Sequence, residues 1–469
     1  MSDTWDVIAV GAGSAGLPLA IHAAQKGARV LQVEADNRIG GTLHWSSGQI
    51  SAAGTQLQKS LGIDDSPDEH YEDAQRVANN QIDPVVLRTF VDNAAETIDW
   101  LIDIGLEPAP GTPVAGEAHE PYRTRRYLWG TNAAISILDV LRPVHEALVK
   151  EGAIDLRLGQ RLTALVTEES GAVTGIKVNS NGDQITYAAK NVVLACGGYA
   201  AGLDTWNELS PGIPLCSHCN PYSRGDGILA ARELDAVVDG SEKFLCTFAG
   251  YLEDPQNPTS GQFLTLSPKA RSVWEVFIDG NGRRFMREDH PSIDYRERSL
   301  LNQPGMEMAI VFDEGIRQNA SPITPLPDKE FLSKFDNHPN FVKAETIEDL
   351  ARQIAVPVDT LIETINEYNN AVDSQNDKAF GRHFLIRRIE KPPFYAIRAM
   401  GITVLGPAGL SVDNQLRVLK TNGIPIPNLY AAGEILGFGR TSGNAFVGGL
   451  SLTPAMTFGK MLGEKILSW

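Results

Sequence analysis

Residues 5–16 read WDVIAVGAGSAG, and residues 17–34 continue LPLAIHAAQKGARVLQVE. The first six residues have the apolar run of a short strand. Gly11-x-Gly13-x-x-Gly16 follows, then a helix-like run to about Lys26, then a second strand from Arg29 to Val33 that ends at Glu34. Each glycine has its own task. Gly11 makes a tight turn, Gly13 lets backbone approach a pyrophosphate, and Gly16 lets helix and strand pack closely. Ser14 and Ala15 complete the turn, and Glu34 is placed to accept a hydrogen bond from a ribose hydroxyl. Strand, glycine turn, helix, strand and acid in this order predict a dinucleotide seated at a helix N-terminus. The alternative is a fortuitous glycine turn.

Three further segments separate a flavin dinucleotide from a nicotinamide one. Glu34 is followed by Ala35 and then, at 40–42, by Gly40, Gly41 and Thr42, where a pyrophosphate would run on toward a flavin ring. The strand-like run 191–200 reads NVVLACGGYA, with Ala195, Cys196 and Gly197 at its end. The run 426–434 reads IPNLYAAGE and ends in Gly433 and Glu434. Apolar strands far apart in sequence thus end in small residues, as strands converging on one long ligand would. No second GxGxxG occurs, which argues against a separate nicotinamide domain.

The chain has 469 residues, 42% hydrophobic and 21% charged, with a formal net charge of −17. That length suffices for two or three domains. The acidic balance disfavours nucleic acid and anionic membrane as partners. It permits a phosphate-bearing cofactor held by backbone N–H groups. No apolar run reaches the length of a membrane span, and the start MSDTWDVIAVGAG lacks a basic leader, so a cytoplasmic protein is expected. The four cysteines, Cys196, Cys216, Cys219 and Cys246, suit a reducing compartment. Cys216 and Cys219 form a CxxC without a second ligand pair, so inert thiols are expected and no metal. Neither a GxSxG elbow nor an HExxH occurs, leaving hydrolase readings without support.

On these residues the chain resembles the FAD-dependent fumarate reductase/succinate dehydrogenase flavoprotein superfamily, with its ketosteroid dehydrogenase branch. The resemblance is carried by GAGSAG with Glu34, by GGTLHWSSGQISAAG at 40–54, by CGGY at 196–199 and by GDG at 225–227. GRRFMRE at 282–288, LYAAGE and the run SGNAFVGGLSLTPAMTFG at 442–459 complete it. It implies an α/β fold: a Rossmann-like FAD-binding domain, split into 1–236 and 396–469, with an inserted α+β capping domain at 237–395. It also adds Ser47, Gly48, Asp226, Gly449, Leu450, Ser451 and Leu452 to the expected FAD-binding residues. Residues 253–268 and 319–340 read as irregular loops, 343–373 as two helices broken at Val356-Pro357, 133–148 as a helix, and 450–466 as another.

The chemistry implied is hydride transfer at flavin N5, with a proton moved on the adjacent carbon. FAD is expected to be non-covalent, because Thr42 stands where covalent-flavin relatives carry a histidine. His44, two residues on, is either a substrate ligand or an ordinary polar residue. Phe446 stands where dicarboxylate enzymes place an arginine and ketosteroid dehydrogenases a tyrosine, and Leu405 falls where the former place a histidine. A buried carboxylate needs a partner, so fumarate and succinate are poor substrates unless Arg440 compensates. With the tyrosine also missing, backbone N–H groups of Gly448, Gly449 or Leu450 are candidates to polarise a carbonyl. Tyr127 and Trp129 are candidates for an apolar substrate wall, or else for core; Arg125 and Arg126 meet either a carboxylate or only the cap. For the proton, strict spacing after Arg284 to Glu288 lands on Ser292, a poor acid. Tyr295, preferred, and Arg296 are the candidates, against a merely solvated loop.

The expected activity is therefore dehydrogenation of a carbonyl compound, in particular a cyclic ketone, with oxygen, a quinone or a carrier protein as external electron acceptor. Two alternatives stand beside it: an ene-type reductase of an activated C=C bond, and an electron-transfer subunit dependent on a partner chain.

Overall fold

Parallel strands need a crossover between them, and a single helix is the shortest regular one. In the computed structural model, which describes residues 4–267 and 270–469, the opening stretch takes that form. It folds as β1 (Trp5–Val10), α1 (Gly16–Gln25) and β2 (Val30–Val33), with β1 and β2 parallel. Every residue of β2 and the last four of β1 are buried, as strands covered on both faces require.

The sheet grows outward from this pair. Its other strands are β3 (Ile154–Arg157), β4 (Gln160–Thr167), β5 (Val173–Ser180), β6 (Asp183–Leu194), β7 (Arg417–Leu419) and β8 (Pro425–Ala431). The order is β7-β8-β6-β1-β2-β3, with β4 and β5 added to β6 as an antiparallel meander. The pairs β8–β6, β6–β1, β1–β2 and β2–β3 are all parallel. Chain segments from the first and last fifths of the sequence therefore share one sheet.

Three longer helices accompany it: α2 (Pro84–Asp103), α3 (Ile135–Lys150) and α4 (Leu452–Lys465). The last begins and ends within two residues of expectation. It lies on α1 through glycines four residues apart, which share a helix face. A Cβ on Gly459 would come within 2.1 Å of the Ala15 carbonyl oxygen, and one on Gly463 within 2.6 Å of that of Leu19.

The chain divides into two compact units. One runs to Pro211 and resumes over Cys219–Phe244 and Leu405–Trp469; the other comprises Gly212–His218 and Leu245–Val404. The expected boundaries at 237 and 395 are displaced by several residues at each end. The strand Phe394–Ile402 explains the second displacement. It pairs along its length with Glu307–Asp313, so a division at 395 would cut through it. This second unit is an antiparallel sheet in the order Gly261–Phe263, Thr247–Leu252, Phe394–Ile402, Glu307–Asp313, Val276–Ile278, with Phe341–Ala344 also on the central strand.

Two stretches expected to be irregular carry regular structure. Gly261–Phe263 is an edge strand inside 253–268, whose last residue, Pro268, lies outside the described residues. Asp328–Asn337 is a helix inside 319–340. Its two buried residues, Phe331 and Phe335, are one turn apart, and this short apolar stripe is masked in sequence by the prolines before it. The helices Ile347–Ile354 and Val358–Ser374 break at Val356-Pro357 as expected. Among the described residues no helix is long and apolar enough to cross a membrane.

The α1–α4 contact is testable. Glycine to alanine inside a helix normally stabilises by about 1 kcal/mol, but at Gly459 the added methyl meets backbone that cannot yield cheaply. Gly459→Ala is expected to destabilise by about 1–3 kcal/mol, seen as a lower urea midpoint. An unchanged or higher midpoint would contradict the packing described.

Candidate active site

Register places the functional ends of the parallel strands in one row. Val10 pairs with Val33 and with Leu194, and Leu194 pairs with Ala431. The residues just beyond them are Gly11, Glu34, Ala195 and Ala432. A cleft at the C-terminal ends of parallel strands is where open α/β sheets bind ligands.

The glycines of the first turn divide the work. Gly11 has φ +109°, and a Cβ there would lie 2.3 Å from the Ala195 carbonyl oxygen; one on Gly16 would lie 2.0 Å from that of Gly11. Both are bare because protein backbone fills the space. Gly13 is different: its nearest neighbour would be Gly41 Cα at 3.7 Å, an ordinary contact. Its lack of a side chain leaves room for a ligand. Glu34 stands at the end of β2, where its Oε2 accepts the Ala12 N–H at 2.7 Å and its Oε1 that of Asp36 at 2.8 Å. Burial raises its pKa while these N–H groups pull it down.

These groups line a cleft of about 670 Å³, part of it open to solvent, together with Ser14, Ala15, Ala35, Thr42, Cys196, Gly197, Asp226 and Gly433. Glu434 closes one side. Its Oε1 is buried without a hydrogen bond of normal geometry, and burial pushes its carboxyl up to about 7. Asp226 is oriented by Arg161, whose Nη2 donates at 2.7 Å. Burial pushes the Cys196 thiol up to about 12, which makes it a wall rather than a nucleophile. All four cysteines are free thiols. The cleft also contains Gln160, Leu162, Asn220, Tyr222 and Ser223, which were not read from sequence. Gln160 and Leu162 are alternate residues of β4 and so share a face; that period was the available signal.

Of the other expected FAD residues, Gly16 and Gly40 act through packing. A Cβ on Gly40, at φ +116°, would lie 2.7 Å from His44 Nε2. Gly48 is held bare by the backbone at Ala133, and Gly449 by Ser51 N, which its Cβ would approach to 2.5 Å. Leu450 and Leu452 are buried, whereas Ser47 and Ser451 are exposed. The observations fit a dinucleotide: a bare turn with one open glycine, an acid at the end of the second strand, and an orphaned buried carboxylate oxygen on the far wall.

The glycine pair near the C-terminus is tied down from two sides. The Gly448 carbonyl accepts the Tyr122 hydroxyl at 2.5 Å and the Ser51 hydroxyl at 2.8 Å. The buried Tyr127 ring lies directly against Gly448, and Trp129 meets Tyr127 edge-on at 5.6 Å. Phe446 stacks on His119 with ring centroids 4.0 Å apart. Tyr122 and His119 were not singled out in sequence. His44 turns to the backbone, its Nε2 3.0 Å from the Ile39 carbonyl oxygen. Arg125 is exposed; Arg126 is buried and held by Asp65 at 2.6 Å and Asp73 at 2.8 Å. Arg440 pairs with Asp83.

In the second unit, Arg284 of the GRRFMRE motif grips Glu288 at 2.7 Å and Asp377 at 2.8 Å, all three buried. The motif is a buried ion-pair clamp that precedes the helix Ile293–Leu301 in the chain. Ser292 is the N-cap of that helix, its hydroxyl accepting the Tyr295 N–H. Successive residues on a helix point about 100° apart, and here the two proton candidates part company. Tyr295 is 36% exposed, stacked on His290, its hydroxyl accepting the Arg287 N–H. Arg296 is 0% exposed. Its Nε donates to the His290 carbonyl at 3.1 Å and its Nη1 to that of Leu266 at 2.6 Å, while Nη2 is buried without a partner. Burial pushes this guanidinium down to about 10.

Comparison with known proteins gives a consistent picture. A family model described as an FAD-binding domain matches residues 6–452. The chain is 29% identical over 469 residues to the probable fumarate reductase Ifc3 of Shewanella frigidimarina, covering 99% of this chain and 75% of that protein. It is similar to a flavocytochrome c3 fumarate reductase solved in an open conformation, with TM-score 0.76, 28% identity and 99% and 78% of the two chains covered. It also shares its fold with a 3-ketosteroid Δ1-dehydrogenase from Sterolibacterium denitrificans, with TM-score 0.79, 21% identity and 99% of each chain covered.

The two kinds of glycine predict two kinds of defect. Gly13→Val is expected to yield folded protein, by circular dichroism, that retains less than about a tenth of the parent's flavin. Gly11→Ala is expected to lose the fold itself, since its Cβ meets backbone at a positive φ. Equal flavin content in Gly13→Val and the parent would contradict this assignment.

Proposed function

We propose, from the premise that this chain belongs to the FAD-binding domain family within the fumarate reductase/succinate dehydrogenase flavoproteins, that it reduces an activated C=C bond in a substrate less polar than a dicarboxylate. That membership makes it an FAD-dependent oxidoreductase acting on CH–CH or C=C groups. FAD, when bound, supplies the hydride chemistry. The turn at Gly11 to Gly16, Glu34 and Glu434 would hold it. With His44 committed to backbone and Thr42 at the attachment position, the flavin is non-covalent.

Arg296 carries the proposed direction. Reduction adds a hydride to one carbon and a proton to its neighbour, so an acid must be in place. Arg296 is charged at neutral pH, fixed by two carbonyls, and has its Nη2 uncommitted. Its lowered pKa makes the proton easier to release than from an ordinary arginine. Dehydrogenation needs a base instead. The candidate for that, Tyr295, is exposed with its hydroxyl engaged. Two electrons per turnover then come from an external reductant.

The substrate class follows from what is missing. Phe446 and Leu405 offer no charge, Arg126 is paired with two aspartates, and Arg440 is paired with Asp83. A carboxylate brought into such surroundings costs several kcal/mol. An α,β-unsaturated carbonyl compound, with its double bond in a ring or beside one, meets no such penalty. The Phe446–His119 stack and Tyr127 suit its planar, apolar body.

The test is anaerobic oxidation of a reduced viologen dye by a panel of cyclic enones, with fumarate as comparison. Enone turnover is expected at least about 100-fold faster than fumarate turnover, the scale set by leaving a buried carboxylate unpaired. Arg296→Gln is expected to lower kcat about 10²–10⁴-fold with flavin retained, and Tyr295→Phe to change it little. Preferential fumarate reduction, or an unimpaired Arg296→Gln, would overturn the proposal.

A further inference from the structure

One residue of the second strand breaks its pattern. β2 reads Val30-Leu31-Gln32-Val33, and Gln32 is 0% exposed among apolar neighbours. A buried carboxamide must find partners, and Gln32 finds them in the dinucleotide turn. Its Nε2 donates to the Gly16 carbonyl at 2.9 Å and to the Gly11 carbonyl at 3.1 Å. Its Oε1 lies 2.6 Å from Nε2 of His145, a fully buried residue of α3. The amide orientation follows from these partners, because two carbonyls can face only the NH₂ group. The imidazole then carries its proton on Nε2 and donates to Oε1. His145 Nδ1 is buried without a partner, in keeping with a neutral ring.

The turn has two sides. Gly13, Ser14 and Ala15 line the cleft, while the carbonyls of Gly11 and Gly16 accept from the buried Gln32. Without Gln32 the buried Gly11 carbonyl would lose this donor and the Gly16 carbonyl would keep only its helical one, which would let the turn relax. Gln32 bridges both ends of the GxGxxG segment, and His145 stops the carboxamide from rotating away. We infer that Gln32, locked by His145, is a positioning residue for FAD: it holds the Gly11 and Gly16 carbonyls so that the turn keeps its ligand-binding curvature before the cofactor arrives. Preorganisation of this kind raises affinity by removing an ordering cost from binding. The inference rests on FAD binding alone and is independent of the substrate proposed above.

The test uses full-length apoprotein titrated with FAD, read by flavin fluorescence, with melting temperatures of apo- and FAD-loaded protein. Gln32→Met keeps the volume and removes every hydrogen bond. It is expected to raise the FAD Kd at least about tenfold and to shrink the FAD-induced rise in Tm, since two carbonyls and an imidazole lose their partners. His145→Leu leaves the two amide donors and frees the carboxamide to turn; its Kd is expected to rise about threefold or more. A purely structural role would lower both melting temperatures equally and leave Kd within about twofold. That result in Gln32→Met would overturn the inference. If Gln32→Met does not fold, His145→Leu decides, and an unchanged Kd there overturns it.

Discussion

Backbone meeting backbone without an intervening side chain is the constraint on which this structure depends. Gly11 lies on the Ala195 carbonyl, Gly16 on that of Gly11, and Gly459 on that of Ala15. These contacts draw β1, β6, α1 and α4 together around one turn. The approach is close enough that a single methyl group at any of the three positions would overlap an oxygen. Packing at this distance is what leaves Gly13 open and aligns the ends of four parallel strands. A cleft made this way is a property of main chain, which explains how segments so far apart in sequence build one site.

The same constraint resolves an electrostatic puzzle. A chain of net charge −17 is a poor host for a ligand carrying two phosphates if side chains must neutralise it. Main-chain N–H groups at a helix start do so without net charge. Two of the acids at the cleft are themselves tied: Glu34 to Ala12 and Asp36, Asp226 to Arg161. In the second unit, Arg284 ties Glu288 to Asp377, and Arg296 is held by the carbonyls of His290 and Leu266.

Legibility in the sequence followed the reach of each interaction. The dinucleotide turn and Glu34 were readable because their spacing is local and each glycine has a separate steric reason. The converging strand ends were readable because small residues there have no other common explanation. Gln160, Asn220, Tyr222 and Ser223 were not, since only the fold brings them to the cleft. His44 sat near the expected flavin ring, and its commitment to the Ile39 carbonyl depends on a left-handed Gly40 that sequence does not announce. Tyr295 was preferred over Arg296 on residue chemistry. What separates the two in the structure is helix phase, which one residue changes by about 100°. The helix Asp328–Asn337 was hidden because its burial rests on two phenylalanines in a polar, proline-rich stretch.

All of this rests on the turn and its far wall holding a flavin dinucleotide without a covalent bond. Purified protein, its visible spectrum and its acid-precipitated supernatant measure that directly. Yellow protein with about one FAD per chain, all of it released to the supernatant on denaturation, is the expected result. Flavin retained in the pellet would contradict non-covalent binding, and protein that stays colourless after incubation with FAD would contradict the site itself.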